Sequence, residues 1–484
     1  MLGLLTAQIL ATLQVYLSNV ALHRTLLAIR DAGYLTIPNQ RTMPSLLEFG
    51  PALFGGLFFT FSVGAGLSMV SLAAVWVWGR LFSRNKALLI GFGLLWLGCL
   101  VALNRRGFSP MVASYCLVIP PVVFCAALRW MGPRFGRRDW LYKTVHVTPI
   151  ALLTLLWTSH VGSRTFLDLR DYLLLSNPLG TKINAFYYDY TLYPAEVFKS
   201  LDQKMLKTCN LENIREKSTI VYMERELVKH DYLHVGKGAP VDLKITQQDN
   251  MLVFENRGKT ILQTTLRDFF SNPGTVLKEF SAKSDRQGLF RRFTFFSLLL
   301  GFPSGLYVIF YGLVRFASSF FVDLRTSSVI ASILCLVAGV IILIPLFHGR
   351  GINLEVKQAS EALESEYWQE RVAALRFVEQ KGMEVSDSHA YERLLTSPHI
   401  AERYWLAKAL GVSRQSDTYK DLLALLDDPQ PNVVSMAFYA LGQRGDRRAV
   451  GAILSRIQTS DDWYSQWYGY KALRALGWKQ TRSR

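Results

Sequence analysis

The chain has 484 residues, of which 50% are hydrophobic and 19% are charged, and its mean hydropathy is +0.18. This composition excludes an ordinary soluble protein of this length and is typical of a membrane protein that carries soluble domains. The formal net charge of +17 would suit a nucleic-acid-binding surface only if the charge were concentrated on a soluble domain.

Most of the excess positive charge lies in the apolar part of the chain. Residues 163–292 carry 20 basic and 16 acidic side chains, and residues 349–484 carry 19 and 17, so neither polar segment is strongly basic. The rest of the chain carries 15 basic and only four acidic side chains, mostly in short segments between apolar runs. Anionic lipid headgroups attract such segments. We therefore predict membrane lipids as a partner, and no nucleic acid.

Seven apolar runs are long enough to cross a bilayer as helices, which takes roughly 20 residues. The first run lacks a basic segment before its apolar core, and Gln8 and Gln14 interrupt it, so a retained helix is favoured over a signal peptide. The runs are Leu2–Leu22, Ala52–Trp78, Ala87–Leu103, Met111–Leu128, Val145–Val161, Phe293–Val314 and Val329–Phe347.

These runs predict a polytopic α-helical membrane protein with an inserted extramembrane α/β domain and a C-terminal all-α solenoid. Two runs separate the two polar domains, so both domains are expected on the same side of the membrane. The predicted regions are a five-helix membrane region (1–162), the α/β domain (163–292), a two-helix membrane hairpin (293–348) and a helical-repeat domain (349–484).

The distribution of basic residues between the loops predicts the orientation. The loops at 79–86, 129–143 and 315–328 together carry ten basic residues, whereas the loops at 23–51 and 104–110 carry five. The positive-inside rule places the first set in the cytoplasm. We therefore predict that both polar domains lie on the non-cytoplasmic side, in a bacterial inner membrane.

The second run contains a row of small residues that recurs every four positions, namely Gly56, Thr60, Gly64 and Ser68. Such a row forms a flat helix face that lets another helix approach closely. We predict that this face packs inside the bundle. The alternative is a contact with a partner helix or a conformational hinge.

Prolines interrupt two of the runs, at Pro120, Pro121 and Pro149, and predict kinked or broken helices. Broken helices line substrate sites in some transporters, but these runs contain almost no ionisable side chains. His146 and His160 lie at the two ends of one run, where headgroup water can solvate them. We interpret both as interfacial residues.

The inserted domain reads as a mixed α/β fold. Pro194–Leu206 looks helical. The aromatic segment Tyr187–Tyr193 is either a packed edge of the core or a belt in the headgroup layer, and we favour the belt. A small antiparallel sheet is predicted from four segments that alternate or are β-branched. The predicted strands are Ile220–Glu226, Val241–Ile245, Met251–Glu255 and Thr260–Gln263.

No catalytic, cofactor or metal site is predicted. His230 and His234 have no third ligand at a suitable spacing, and Gly236-x-Gly238 lacks the rest of a nucleotide-binding fingerprint. The cysteines form no CxxC pair and read as packing residues. They are Cys99, Cys116, Cys125, Cys209 and Cys335.

The C-terminal region repeats itself. Ala-Leu-Gly recurs at Ala409–Gly411, Ala440–Gly442 and Ala475–Gly477, and Ser397-Pro398 is followed 31 residues later by Asp428-Pro429. A period near 30 residues that reads helix–turn–helix is typical of an α-solenoid.

The segment from Asp428 to Val450 resembles a HEAT-like repeat. A proline opens the helix, Ala437 and Ala440 permit close helix contact, and Gly442 is expected to cap the helix. The Val-Arg pair usual in the family is Val433-Val434 here. The resemblance implies about four repeats and a scaffold that binds a protein partner.

The last predicted helix is rich in aromatic residues, which a terminal repeat with a polar outer face would not show. The rings either fill the repeat's own core or are covered by the membrane surface, the other polar domain or a partner. This candidate interaction surface consists of Trp463, Tyr464, Trp467, Tyr468, Tyr470 and Trp478.

Taken together, these features favour a membrane-anchored scaffold or accessory subunit that binds an unknown protein partner. A transporter or channel component is the first alternative, and polar residues lining a path would favour it. A membrane enzyme acting on a lipid or lipid-linked substrate is the second alternative. A buried His/Asp/Arg cluster at the membrane boundary would favour that function.

Overall fold

The computed structural model describes residues 1–82, 85–130, 140–190, 192–348 and 356–482. Within these ranges the chain forms a bundle of long apolar helices, an inserted α/β domain and a C-terminal array of helix pairs. Most of the loop at 129–143 and the start of the predicted repeat domain at 349–355 lie outside the described residues.

The first five apolar runs all form helices. The predicted breaks at Pro120, Pro121 and Pro149 are wrong, because each of these prolines lies inside a continuous helix. The fifth run ends at His160, and the next helix leaves at an angle of 108°. The elements are α1 (Leu2–Asp31), α2 (Phe49–Gly79), α3 (Lys86–Asn104), α4 (Pro110–Trp130), α5 (Trp140–His160) and α6 (Thr165–Leu174).

The predicted small-residue face of α2 packs against α1. A Cβ atom added to Gly56 would lie 3.0 Å from the backbone nitrogen of Thr12, and one added to Gly64 would overlap Ala7. Thr60 donates a hydrogen bond from its hydroxyl to Gln8 Oε1 (2.7 Å). Close backbone approach and a buried polar contact therefore join the two helices.

Two short helices, α7 (Pro178–Tyr190) and α8 (Leu192–Phe198), follow α6 and lead to a five-stranded sheet. The strand order is β2-β1-β3-β4-β5, with β1 parallel to both of its neighbours and the other pairs antiparallel. The strands are β1 (Lys207–Glu212), β2 (Tyr232–His234), β3 (Leu243–Gln248), β4 (Met251–Asn256) and β5 (Lys259–Thr265).

The sheet differs from the prediction in two respects. The predicted strand Ile220–Glu226 is wrong, because this segment lies within helix α9 (Lys217–Lys229), where Met223 and Leu227 are buried four residues apart on one face. The predicted all-antiparallel arrangement is also wrong, because α9 crosses from β1 to a parallel β2. The predicted helix Pro194–Leu206 is likewise wrong beyond Phe198, where α8 ends.

Two helices close the α/β domain and two more return to the bundle. Phe269 on α10 (Leu266–Ser271) and Phe280 on α11 (Pro273–Ser284) pack against Phe254 of β4, with ring centroids 5.8 and 6.0 Å away. The last two apolar runs form α12 (Gly288–Ser318) and α13 (Leu324–His348). Among the described residues, six helices are long and apolar enough to cross a membrane, or seven if α5 and α6 count as one bent span.

Four helix pairs form the C-terminal region. The second helix of each pair packs against the second helix of the next, giving a row of four. The predicted cap at Gly442 is wrong, because the helix that contains it continues to Arg444 and Gly445 takes the left-handed conformation (φ +75°). The pairs are α14 (Val356–Glu364) with α15 (Trp368–Lys381), α16 (Tyr391–Leu395) with α17 (Ile400–Val412), α18 (Thr418–Ala424) with α19 (Pro431–Arg444), and α20 (Ala449–Thr459) with α21 (Trp463–Ala475).

Buried ion pairs link successive helix pairs. Arg371 donates from Nε to Glu402 Oε1 (2.7 Å), and Arg403 donates from Nε to Asp428 Oδ2 (2.6 Å). Glu402 is 1% exposed. Removing one partner of such a pair costs roughly 3–5 kcal/mol, so these contacts fix the stacking of the repeats.

The loops at 23–51 and 104–110 meet both polar domains at one end of the bundle. Asn39 donates from Nδ2 to the carbonyl of Ile457 (2.8 Å), and Arg106 approaches the carbonyl of Asp285 (3.5 Å). The two loops and the two polar domains therefore lie at the same end of the bundle. This arrangement is expected if the chain crosses the bundle seven times, with successive helices running in opposite directions.

Candidate functional site

The C-terminal array holds a segment of its own chain. This junction segment comprises residues 165–190, 192 and 193, that is, α6, α7 and the start of α8, and it includes residues that we assigned to the α/β domain. It contacts the row of second helices, α15, α17, α19 and α21. A cluster of charged and aromatic side chains lies within this contact.

Asp171 lies at the centre of the cluster and is 0% exposed. Its carboxylate accepts hydrogen bonds from Arg170 Nε (2.7 Å), from Trp405 Nε1 (2.7 Å) and from a guanidinium nitrogen of Arg376. Three donors on one carboxylate satisfy most of its capacity, which is what burial of a charge requires.

Arg376 connects this carboxylate to a second one. Its Nη1 donates to Asp168 (3.0 Å), and its guanidinium lies over the rings of Trp405 (4.9 Å) and Tyr172 (5.5 Å). Burial acts to lower the pKa of Arg376, but attraction to Asp171 and the hydrogen bonds to Asp171 and Asp168 together outweigh burial and raise the pKa. Arg376 is therefore held charged.

Arg170 completes a charge-balanced set of two arginines and two aspartates. Its guanidinium carbon lies 3.6 Å from the ring centroid of Tyr404 on α17, a close cation–π contact. The formal charges of the set cancel, and its four side chains pair with one another. This arrangement suits a structural joint between the two parts of the chain.

The junction segment reaches every helix pair in turn. Tyr172 packs on Trp368 of the first pair (5.8 Å between ring centroids), and Arg170 covers Tyr404 of the second. Asn184 donates from Nδ2 to Oδ1 of Asn432 in the third pair (2.8 Å), with both residues buried. The fourth pair contributes the aromatic residues of α21.

The predicted aromatic surface on α21 is covered largely by the chain itself. Trp463 stacks on Tyr193 (5.1 Å), and Tyr464 meets Tyr188 edge to face (4.6 Å). Tyr470 is 1% exposed and donates its hydroxyl to Asp231 of the α/β domain (2.6 Å). The repeat's own core and the other polar domain, which are two of the alternatives given above, therefore both bury aromatic residues of this surface.

The remaining aromatic residues of this surface are packed locally and are partly buried. Trp467 and Tyr468 contact each other (5.0 Å), and Lys471 lies 3.5 Å from the ring centroid of Trp467. Trp478 meets Tyr470 edge to face (6.1 Å). Burial and the nearby charge of Lys199 lower the pKa of Lys471.

The C-terminal tail fastens the loop that follows α1. Gln480 exchanges two hydrogen bonds with the backbone of Leu35, accepting from its N–H (3.1 Å) and donating to its carbonyl (2.9 Å). Gln466 accepts from the backbone N–H of Asn39 (2.7 Å). The array therefore grips both the junction segment and the α1–α2 loop.

Several of the described histidines contact other groups of the protein. His146 contacts Ser332 Oγ (3.0 Å), His160 contacts the carbonyl of Leu156 (3.0 Å), and His234 pairs with Glu224. Within the described ranges, no group of three His, Cys, Asp or Glu side chains could hold a metal ion.

Residues 388–477 match the family model of HEAT repeats. The C-terminal region carries HEAT repeats. The match covers the second to fourth helix pairs, and the first pair has the same local geometry, because Arg371 donates to the carbonyl of Ser365 (2.6 Å) as Arg403 does to that of Ser397. No curated protein and no solved structure matches this chain.

Proposed function

We propose that this protein is a membrane-anchored scaffold or accessory subunit whose HEAT and α/β domains form one rigid platform for a protein partner. The main support for this proposal is that the junction segment contacts the second helix of all four pairs. HEAT repeats generally bind proteins, and here that face of the row binds the chain itself. The first helices of the first three pairs and the outer face of the α/β domain are left for a partner.

Membrane anchoring by seven spans is supported by the surface of the bundle. Helix α3 has a mean hydropathy of 2.1 over its most apolar stretch and no buried residue there. Its exposed side chains include Ile90, Leu94 and Leu95, each more than 60% exposed. A soluble protein would not leave such a helix in water, because burying each of these side chains is worth about 1.5–3 kcal/mol.

Helix α7 supports a position of the junction segment at the membrane surface. Asn184 and Tyr188 face the HEAT domain, whereas Leu179, Ile183 and Tyr187 are 69%, 50% and 52% exposed. An amphipathic helix with an uncovered apolar side suits the headgroup layer of a bilayer. We propose that α7 lies in that layer.

We also propose the side of the membrane on which the platform lies. The loops at 23–51 and 104–110 and both polar domains meet at one end of the bundle, and these loops carry fewer basic residues than the opposite set. The positive-inside rule then favours the non-cytoplasmic side of a bacterial inner membrane.

The partner surface we propose includes exposed apolar side chains away from the bundle. Tyr367 before α15 is 67% exposed, and Val221 and Tyr222 on α9 are 59% and 46% exposed. Exposed apolar residues on a polar domain are typical of binding surfaces.

Site-specific photo-crosslinking tests the scaffold function. A photo-reactive amino acid in place of Val221 or Tyr367, in the full chain in native membranes, is expected to capture one protein of defined mass. The same amino acid at Asn250, on the exposed β3–β4 turn, is the matched control. Identical crosslinks from all three positions, or none from Val221 and Tyr367, would contradict the proposal.

Transport is the second candidate, supported by buried polar side chains in the bundle. Asn19 is 0% exposed, and neither atom of its amide has a hydrogen-bond partner among the described residues. Gln14 Oε1 and the Tyr115 hydroxyl are buried and unpartnered in the same way. Solute flux through proteoliposomes that is abolished in Asn19→Leu would support transport, whereas higher thermal stability of that variant with no measurable flux would support the scaffold.

A further inference from the structure

A cleft of ≈ 790 Å³ opens where three parts of the chain meet. The C-terminal end of α1 forms one wall, and the carboxyl ends of β1 and β2 form the second. Arg482 of the C-terminal tail forms the third. The cleft is separate from the junction segment, and neither the HEAT repeats nor the anchoring function accounts for it.

The topology of the sheet creates this opening. Strand β1 has parallel neighbours on both sides, β2 and β3, and the chain passes from one side of β1 to the other between them. In open sheets with parallel strands, ligands bind beyond the carboxyl ends of the strands at such a switch point. The cleft lies at that position, next to Asn210 and His234.

Asn210 lines the cleft and has an unpartnered polar atom. The residue is 5% exposed, and its Oδ1 has no hydrogen-bond partner among the described residues. Its Nδ2 donates to the carbonyl of Val235 (3.3 Å), which leaves Oδ1 to accept from a ligand. A buried acceptor without a donor costs about 1–3 kcal/mol, so a ligand hydroxyl or N–H there would remove a penalty.

Cations surround the same opening. Arg24 and Lys237 are exposed and have no acidic partner among the described residues, whereas the acidic Asp31 is paired with Arg30 (2.8 Å). Arg482 approaches Glu224 at 3.5 Å. The lining therefore keeps unbalanced positive charge, which suits a phosphate group.

The loop after β2 suits close approach of such a group. Lys237 lies between Gly236 and Gly238, and Gly238 has φ +84°, which favours glycine. A Cβ atom at Gly236 would meet nothing within 4 Å, so packing does not require glycine there. Because Gly236 and Gly238 have no side chains, there is room for a ligand beside Lys237.

We propose that this cleft binds a phosphate ester that also carries hydroxyl groups, with Arg24 and Lys237 on the phosphate and Asn210 Oδ1 accepting from a hydroxyl. Two sources share this chemistry. One is the headgroup of a glycerol-bearing phospholipid, since Arg24 follows directly after the apolar part of α1. The other is a soluble polyol phosphate.

Binding to the full chain distinguishes the two sources. In detergent, titration calorimetry with glycerol 3-phosphate and with inorganic phosphate measures the soluble ligand. In nanodiscs, native mass spectrometry measures retained phosphatidylglycerol against phosphatidylcholine. Saturable binding of glycerol 3-phosphate assigns a soluble ligand, and selective retention of phosphatidylglycerol alone assigns a headgroup.

Variants connect the binding to the cleft. Arg24→Gln with Lys237→Gln should weaken binding roughly tenfold or more, because each removes a charged hydrogen bond. Lys259→Gln with Arg267→Gln, on exposed positions of the same domain, is the matched control and should change affinity less than twofold. Asn210→Leu should abolish any preference for glycerol 3-phosphate over inorganic phosphate, and its folding is checked by the elution profile.

The proposal is overturned if the folded full chain binds neither phosphate probe saturably and retains the two lipids equally. It is also overturned if the control variant loses as much affinity as the cleft variant, since the attraction would then be the general charge of the surface.

Discussion

Trp405 donates a 2.7 Å hydrogen bond from its indole nitrogen to Asp171, across 234 residues of chain. The bond joins the segment that leaves the fifth apolar run to the second HEAT pair, and the same carboxylate also holds Arg170 and Arg376. Because Asp171 is fully buried, the stability of the whole platform is expected to depend on this one side chain.

The first prediction concerns Asp171. Asp171→Asn leaves Arg170 and Arg376 with two charges and one remaining carboxylate, and should destabilise the protein by roughly 3–5 kcal/mol. The measurement is the unfolding midpoint of the full chain in detergent. Asp461→Asn is the control, because Asp461 is 80% exposed and its approach to Arg41 is 3.7 Å. Equal unfolding midpoints for the two variants would contradict a stabilising role of Asp171 in the contact between the junction segment and the HEAT repeats.

A second prediction concerns the packing of α1 on α2. Gly64→Val places side-chain atoms where Ala7 lies and should destabilise the bundle by about 1–3 kcal/mol. Gly91→Val on α3 is the matched control, since a Cβ atom there meets nothing within 4 Å. Thermal unfolding in the same detergent compares them. A loss of stability in Gly91→Val as large as in Gly64→Val would show that helix propensity, and not packing, is responsible.

The loop after α1 gives a third prediction. Asn39 is buried and uses its side chain to bind the carbonyls of Ile457 and Ser460 and the backbone N–H of Arg41. Asn39→Ala should cost about 1–3 kcal/mol and increase hydrogen exchange of residues 34–42. Asn250→Ala, at an exposed turn, should leave exchange there unchanged. Unaltered exchange in Asn39→Ala would mean that the repeats do not hold this loop.

A fourth prediction concerns pH and the link between the α/β domain and α12. Burial acts to raise the pKa of Asp285, but hydrogen bonds from Arg291 and from the backbone of Gln287 hold the pKa below its ordinary value. The folded state therefore gains stability at neutral pH that is lost as pH falls through the lowered pKa. At pH 7, the free energy of unfolding of Asp285→Asn should be about 1–2 kcal/mol lower than that of the wild type. This difference should shrink as the pH falls. A difference that does not change with pH would contradict this linkage.

The repeats and the apolar helices could be predicted from sequence because their signals are local. Ala409–Gly411 and Ala440–Gly442 lie at one period, and the seven runs are apolar over whole helix lengths. The helix Lys217–Lys229 was missed because Ile220, Val221 and Tyr222 have β-forming side chains, whereas burial of Met223 and Leu227 follows the helical period.

The junction could not be predicted in the same way. The charges of Asp168, Arg170 and Asp171 directly after an apolar run are a visible signal, but they read equally well as a solvated helix end. Their partners, Arg376 and Trp405, lie on helices whose sequence spacing carries no information about this contact. Only the packing of the HEAT row on the junction segment brings them together.

The most direct test of the central claim is crosslinking of Asn184→Cys to Asn432→Cys in native membranes, in a chain whose five cysteines are replaced by serine. The two amides are in hydrogen-bond contact at 2.8 Å, and Asn184→Cys with Ser455→Cys, on the exposed side of α20, is the control pair. We predict rapid intramolecular crosslinking of the first pair alone under mild oxidation. Absence of that crosslink, or a crosslink formed only between chains, would contradict a HEAT domain held on its own junction segment.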